Sequence, residues 1–302
     1  MQTLPATRKS GPPGSAPDVS FFDIELGPRG PYQVTVTEED IARWSRIYAD
    51  DHPWYSGPSP WGGPIAPPSI LYYPSQMFLG RYLIGNSPGA TRSGGFARYA
   101  LDCLGPIPVG RPLVVTGEVF DKFVRRGRGY VYYRLEASAA GRLVQRHWKS
   151  WAFGLADEEA ARSPEKPSEP REDVAGDAIA TLAPLRFEIT LARMAEFEGP
   201  DERNVHTDPA LAKQTSGQPP LAQGALSFGL LSRLLTNHFG AGYLEGGSLD
   251  VRFIARVFAG ETILAGGEIV RRENGVARLR VWCAKEDGTL VTVGTASARE
   301  RP

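Results

Sequence analysis

Asp201 and His206 stand five positions apart in the stretch Phe197-Glu-Gly-Pro-Asp201-Glu-Arg-Asn204-Val-His206-Thr-Asp-Pro209. A carboxylate and an imidazole on one short segment can together take and return a proton near neutral pH. Asp208-Pro209 reads as the N-cap and first residue of a short helix, over Pro209 to about Lys213. Asp201 and His206 therefore fall on the irregular stretch leading into it, where both can point the same way. A second approach follows in Pro219-Pro-Leu-Ala-Gln223-Gly224, with Gly224 at the expected N-terminus of a longer helix. Backbone N–H groups in a first helical turn have no partner inside the helix and favour negative charge. That suits negative charge developing on an oxygen of a bound molecule.

The longer helix is expected over Ala225 to His238. Leu226, Leu230, Leu231, Leu234 and Leu235 recur at helical spacing, and Gly240 and Gly242 stop it. A first-half counterpart, Ser69 to Ile84, contains Pro74 and should start late or kink. The two halves also repeat in pattern. Ile107 to Val119 lies over Val257 to Ile269 without a gap, pairing Gly110 with Gly260, Gly117 with Gly267 and Glu118 with Glu268. Beyond it, Val124-Arg-Arg matches Val270-Arg-Arg, and Gly129 is set against Gly275. Strands rich in β-branched and aromatic residues follow in both halves, at Tyr130 to Ala137 and Leu143 to Phe153, and at Val276 to Ala284 and Thr289 to Ala298. One long apolar helix followed by an antiparallel meander, occurring twice, is an α+β arrangement. Each helix should be wrapped by a curved sheet.

Composition limits the partners. The chain of 302 residues balances 34 basic against 34 acidic side chains, which argues against a strongly basic nucleic-acid binder. No run approaches the roughly 18 apolar residues of a membrane span, and mean hydropathy is −0.27. Met1 to Val19 is Pro-, Gly- and Ser-rich and has no apolar core of a secretory signal. Cys103 and Cys283 are too few for a disulfide framework, and no histidine or cysteine spacing suggests a metal site. The chain reads as cytoplasmic and reduced. The expected boundaries are a disordered tail over 1–19, a first unit over 20–155, a charged, Pro-containing linker over 156–178 and a second unit over 179–302.

The second half resembles the MaoC-like dehydratases, also called the (R)-specific or type 2 enoyl-CoA hydratases, whose site pattern is roughly Gly-Asp-x-Asn-Pro-x-His followed by Pro-x-x-His-Gly-Met. Asp201 and His206 keep that spacing, and Ala222-Gln223-Gly224 lies over the His-Gly turn. The departures are Pro200 for Gly, Arg203 for Asn, Asn204 for Pro and Gln223 for His. The resemblance implies a double hot-dog fold and a hydro-lyase. In such an enzyme Asp201 and His206 would activate water, and Gly224 N–H would polarise the thioester carbonyl beside Asn204 and Gln223. It implies no metal or redox cofactor; CoA or a carrier's phosphopantetheine arm belongs to the substrate. A homodimer remains open.

The first half looks like a degenerate partner. Asp50 lies over Asp201 but Tyr55 over His206, and Ala66-Pro67-Pro68 offers no glycine and no N–H at Pro68. Trp54, Tyr55, Trp61, Tyr72 and Tyr73 are candidates to line an acyl pocket, or else plain core. Arg125, Arg126 and Arg128 are solvated hairpin ends or contacts to CoA phosphates; His147 and His238 read as structural. Two other activities fit the same cradle: a hot-dog thioesterase, and an acyl-thioester-binding subunit without turnover.

Overall fold

A computed structural model of the chain describes residues 2–5, 21–72, 95–155, 174–199 and 203–300. The main element is a sheet of twelve strands. Its centre is the antiparallel pair β4 (Gly95–Leu104) and β11 (Glu245–Phe253). From β4 the first half continues through β8 (Arg142–Gly154), β7 (Arg128–Ala139), β6 (Pro112–Arg125) and β2 (Gly27–Thr35). From β11 the second half continues through β14 (Leu290–Arg299), β13 (Val276–Lys285), β12 (Thr262–Glu273) and β10 (Leu185–Glu188), with β9 (Ala180–Thr181) also on β12. The two successions are the same, so the repeat read from sequence is a repeat of topology: a double hot-dog. A short strand β1 (Gln2–Pro5) pairs parallel with β2, so these four residues of the expected tail belong to the sheet. The remaining short pair is β3 (Ile65–Ala66) with β5 (Ile107–Pro108).

One glycine pairing is corrected. The β6–β7 hairpin turns through Arg126 and Gly127, φ 50° and 68°, and the β12–β13 hairpin through Asn274 and Gly275, φ 51° and 73°. Two consecutive left-handed residues are what a two-residue hairpin turn demands. Gly127, not Gly129, is therefore the counterpart of Gly275. Gly129 lies in β7, where a Cβ would come within 2.6 Å of the Phe21 ring.

Six α-helices are described. They are α1 (Glu38–Tyr48), α2 (Pro53–Ser56), α3 (Leu191–Glu198), α4 (Pro209–Ser216), α5 (Gly224–Phe239) and α6 (Ala241–Leu244). The central helix α5 is buried on nearly every side against the second-half strands, as its leucines require. Its hydroxyls are satisfied locally: Thr292 Oγ1 donates to Ser227 Oγ at 2.9 Å and Thr236 Oγ1 to Ser232 O at 2.9 Å. Helix α4 starts where Asp208 accepts from Ala210 and Leu211 N–H, at 2.8 and 3.1 Å. Helix α1 begins with a reciprocal capping box between Thr37 and Asp40 and presents Ile41, Trp44, Ile47 and Tyr48 to the core. It packs against α3, the pseudo-equivalent of α1 in the second half. No described helix is long and apolar enough to cross a membrane. The expected first-half helix is described only to Tyr72, as a 3-10 turn over Pro68–Leu71. The rest of it, most of the linker and most of the tail lie outside the described residues.

Candidate active site

His206 sits in the loop between α3 and α4, half-buried. Its backbone N–H donates to Asn204 Oδ1 at 2.8 Å, and its Nδ1 lies against the carbonyl oxygen of Leu221. A carbonyl only accepts, so Nδ1 carries the proton and the neutral ring keeps its lone pair on Nε2. Leu221 N–H in turn donates to Val205 O at 3.2 Å, and Ala222 N–H to Val257 O at 2.8 Å. These bonds tie the His206 loop, the approach to α5 and the turn before β12 into one frame. Asp201 and Pro200 lie outside the described residues.

The departures from the family pattern sort themselves by direction. Arg203 is exposed, and its Nε pairs with Asp208 Oδ2, which holds the Asp208 carboxyl below the usual range. Asn204 turns inward instead. Its Nδ2 donates to Glu198 Oε2 at 3.2 Å, and its backbone N–H donates to Thr207 Oγ1 at 3.0 Å. Glu198, the last residue of α3, is only 5% exposed. Its other oxygen, Oε1, accepts from Gln223 Nε2 at 3.0 Å, and the same nitrogen donates to Met194 O at 3.2 Å. One carboxylate thus joins Asn204 to Gln223. The sequence had drawn no attention to Glu198, since an acid at a helix end ordinarily faces water.

Gln223 is the N-cap of α5 without making a side-chain cap bond, and Gly224 is the first helical residue. A Cβ at Gly224 would lie 3.1 Å from the Phe253 ring, so β11 fills the space a larger residue would need. The structure therefore brings His206, Asn204, Gln223 and Gly224 to one place through Glu198, Leu221 and chain adjacency.

The first-half counterpart is occupied by protein side chains. Asp50 is 4% exposed, and burial raises its carboxyl pKa against the opposing pull of Arg233, whose Nε is 3.7 Å away. Tyr55 is buried and hydrogen-bonds Thr236 of α5. Trp54 is half-buried, edge-on to Trp61 at 5.5 Å. Tyr72 is in the aromatic core, 4.8 Å from the Tyr99 ring, and its carbonyl accepts from the buried Lys149 Nζ at 3.0 Å. Tyr73 lies outside the described residues. His147 is buried beside the Tyr99 hydroxyl, and burial pushes its imidazole down to about 3.

A cavity of about 420 Å³ opens elsewhere, across the β4–β11 seam, lined by Arg98, Asp102, Trp148, Asp250, Arg278 and Ser297 among others. Arg98 and Asp102 alternate along β4 with Tyr99 and Leu101 of the core, so this is the face turned away from the helices. None of the candidate site residues lines it. Among the described residues no group of three His, Cys, Asp or Glu side chains could hold a metal ion.

Comparison with known proteins bears on the family and the fold. A family model described as a MaoC like domain matches residues 180–286. A Dictyostelium discoideum protein named "Probable enoyl-CoA hydratase 2" is 28% identical over 171 residues, covering 54% of this chain and 56% of that protein. The chain thus spans little more than half the length of that relative. Among solved structures, a MaoC-like dehydratase from Phytophthora capsici superposes with a TM-score of 0.69 at 16% identity, over 91% of this chain and 97% of that one. A Mycobacterium tuberculosis protein described as a double hotdogfold gives 0.58 at 18% identity, over 93% and 98%. At these identities the solved structures speak for the fold. The family match lies over the half that holds His206, Gln223 and Gly224, so residues 180–286 are similar to the MaoC like domain, within a double hot-dog fold.

Proposed function

We propose that the chain hydrates a trans-2-enoyl thioester, or in reverse dehydrates a 3-hydroxyacyl thioester, carried on CoA or on a carrier's phosphopantetheine arm. The observation that carries this reading is the His206 imidazole, held by Leu221 O, with its backbone N–H on Asn204, just ahead of the helix N-terminus at Gly224. With Nδ1 protonated, Nε2 is the basic atom. Asp201 and His206 hold one water; the pair removes its proton as oxygen attacks Cβ and returns a proton to Cα. The enolate oxygen that forms between these events accepts from Gly224 N–H at the positive end of α5. The first half does no chemistry: Tyr55 replaces the imidazole, and Pro68 replaces the N–H donor.

The test is loss of enoyl-thioester absorbance with a panel of trans-2-enoyl-CoAs, small to bulky, run beside D201A and H206A. Turnover by the wild type that both substitutions abolish supports the reading. Thiol release without loss of the double bond would replace it with thioester hydrolysis. Acyl-CoA binding without turnover would replace it with a binding role.

A further inference from the structure

We propose that Glu198 is a positioning residue for this site, fixing which end of two amides faces the reacting atoms; the inference rests on the hydration reading above. A carboxylate accepts and never donates. The Gln223 atom facing both Glu198 Oε1 at 3.0 Å and Met194 O at 3.2 Å must therefore be the NH2 group. The same logic sets Asn204, whose NH2 meets Glu198 Oε2 at 3.2 Å and whose carbonyl oxygen is thereby left to accept from His206 N–H at 2.8 Å. An amide turned the other way would bring oxygen against oxygen at Glu198 and remove the acceptor that holds the His206 backbone.

The consequence for Gln223 is specific. Its Nε2 is committed to α3, so its carbonyl oxygen Oε1 lies on the other side of the amide. Gln223 is 7% exposed, and Oε1 is buried with no partner among the described residues. It is an acceptor one residue before Gly224, at the mouth of α5. A buried acceptor without a donor is costly, so this position calls for a ligand that brings one. In the proposed reaction the O–H donor is the attacking water in one direction and the 3-hydroxyl in the other. Glu198 makes this point of the site select for a hydroxyl, without touching the substrate.

Glu198→Gln separates positioning from mere support. A glutamine at 198 can accept from Asn204 with its oxygen, but its nitrogen then needs an acceptor, and Gln223 supplies one by turning over. The contacts of residue 198 are kept, the Gln223 bond to Met194 O is given up, and the polarity that Gln223 offers the site is inverted. The expected result is a folded protein whose melting temperature falls by a few degrees. With the best enoyl-CoA of the panel, kcat falls about 10- to 100-fold, the scale of a misplaced site group. Glu198→Asp, which keeps an acceptor-only group, should recover part of that loss. Unchanged kcat and KM in E198Q overturn the proposal. So does a kcat loss that E198D shares in full.

A second measurement needs neither turnover nor a folded variant. In the 15N-labelled wild type, the side-chain NH2 groups of Asn204 and Gln223 should exchange slowly with solvent. Amides that exchange like those of exposed residues overturn the proposal. If the panel shows no turnover, the hydration reading fails by itself, and this measurement still decides whether Glu198 orients the two amides.

Discussion

The hydroxyl of Tyr48, at the end of α1 in the first half, donates to the carbonyl oxygen of Ala225, 2.8 Å away in the first turn of α5 in the second. Arg233 of α5 returns the contact, donating through NH1 to Tyr48 O at 2.7 Å. A Cβ at Gly229 would lie 2.3 Å from the Tyr48 ring, so the helix carries a glycine where the phenol crosses it. Tyr48→Phe should cost about 1 kcal/mol, the net value of one buried hydrogen bond. Gly229→Ala should cost more, about 1–3 kcal/mol, because a rigid ring and a helix must move apart. Urea unfolding of both variants checks the order; an alanine at 229 tolerated better than Y48F would contradict it.

Removal of either proton-transferring side chain should slow turnover without unfolding the chain. For H206A and D201N a fall in kcat of about 10²- to 10⁴-fold is expected, with a melting curve near wild type for H206A, since His206 lies half-buried in a loop.

Gly224→Pro tests the oxyanion donor alone. Proline suits the first residue of a helix, and Gln223 already has φ −69° and ψ 134°, the conformation that a following proline prefers. The first half uses Pro68 at the matching place. The ring would press on Phe253, so the substitution belongs with Phe253→Leu. G224P/F253L should fold and lose about 10²- to 10³-fold in kcat relative to F253L, the usual cost of one oxyanion donor. Full activity would remove Gly224 N–H from the mechanism.

Stability should fall in mild acid through His147. Burial lowers its pKa from 6.5 to about 3. The unfolded chain therefore binds a proton that the folded chain refuses. This contribution is complete above pH 6.5 and is lost as pH falls from there toward the folded value, by about 1.4 kcal/mol per pH unit. Urea midpoints from pH 8 to pH 4 in wild type and His147→Phe measure it: the slope below 6.5 should be shallower in the variant.

The elements carried by strong local patterns could be read from the sequence: the Leu-striped α5, the Asp208-Pro209 start of α4, and the duplicated meander. Helix α1 was also within reach, since Thr37 to Asp40 spells a capping box and Ile41, Trp44, Ile47 and Tyr48 follow at helical spacing. The resemblance pointed to His206 and Gly224, which the structure places on adjoining segments through Leu221. Glu198 was not readable, because only the folded packing of α3 against the approach to α5 turns that carboxylate inward. The same holds for Asn204, whose direction is decided by Glu198 and by the outward pairing of Arg203 with Asp208. The Gly129 mismatch arose from matching residue type alone, where the backbone demands a turn position.

The β4–β11 seam has one further consequence. Leu101 and Leu249, and Tyr99 and Val251, face one another there in a ladder that keeps its register from Ser248 to Arg252, reinforced by Arg98 Nε donating to Asp250 Oδ1 at 2.8 Å. Each half thereby covers an edge strand of the other, whose open N–H and C=O groups would otherwise recruit any free strand nearby. Separate single-unit chains would meet this need by association, and would lose the pairing on dilution. Here both edges belong to one chain, at an effective concentration of millimolar order for a short tether. The sheet is therefore completed equally well at one molecule per cell or at thousands.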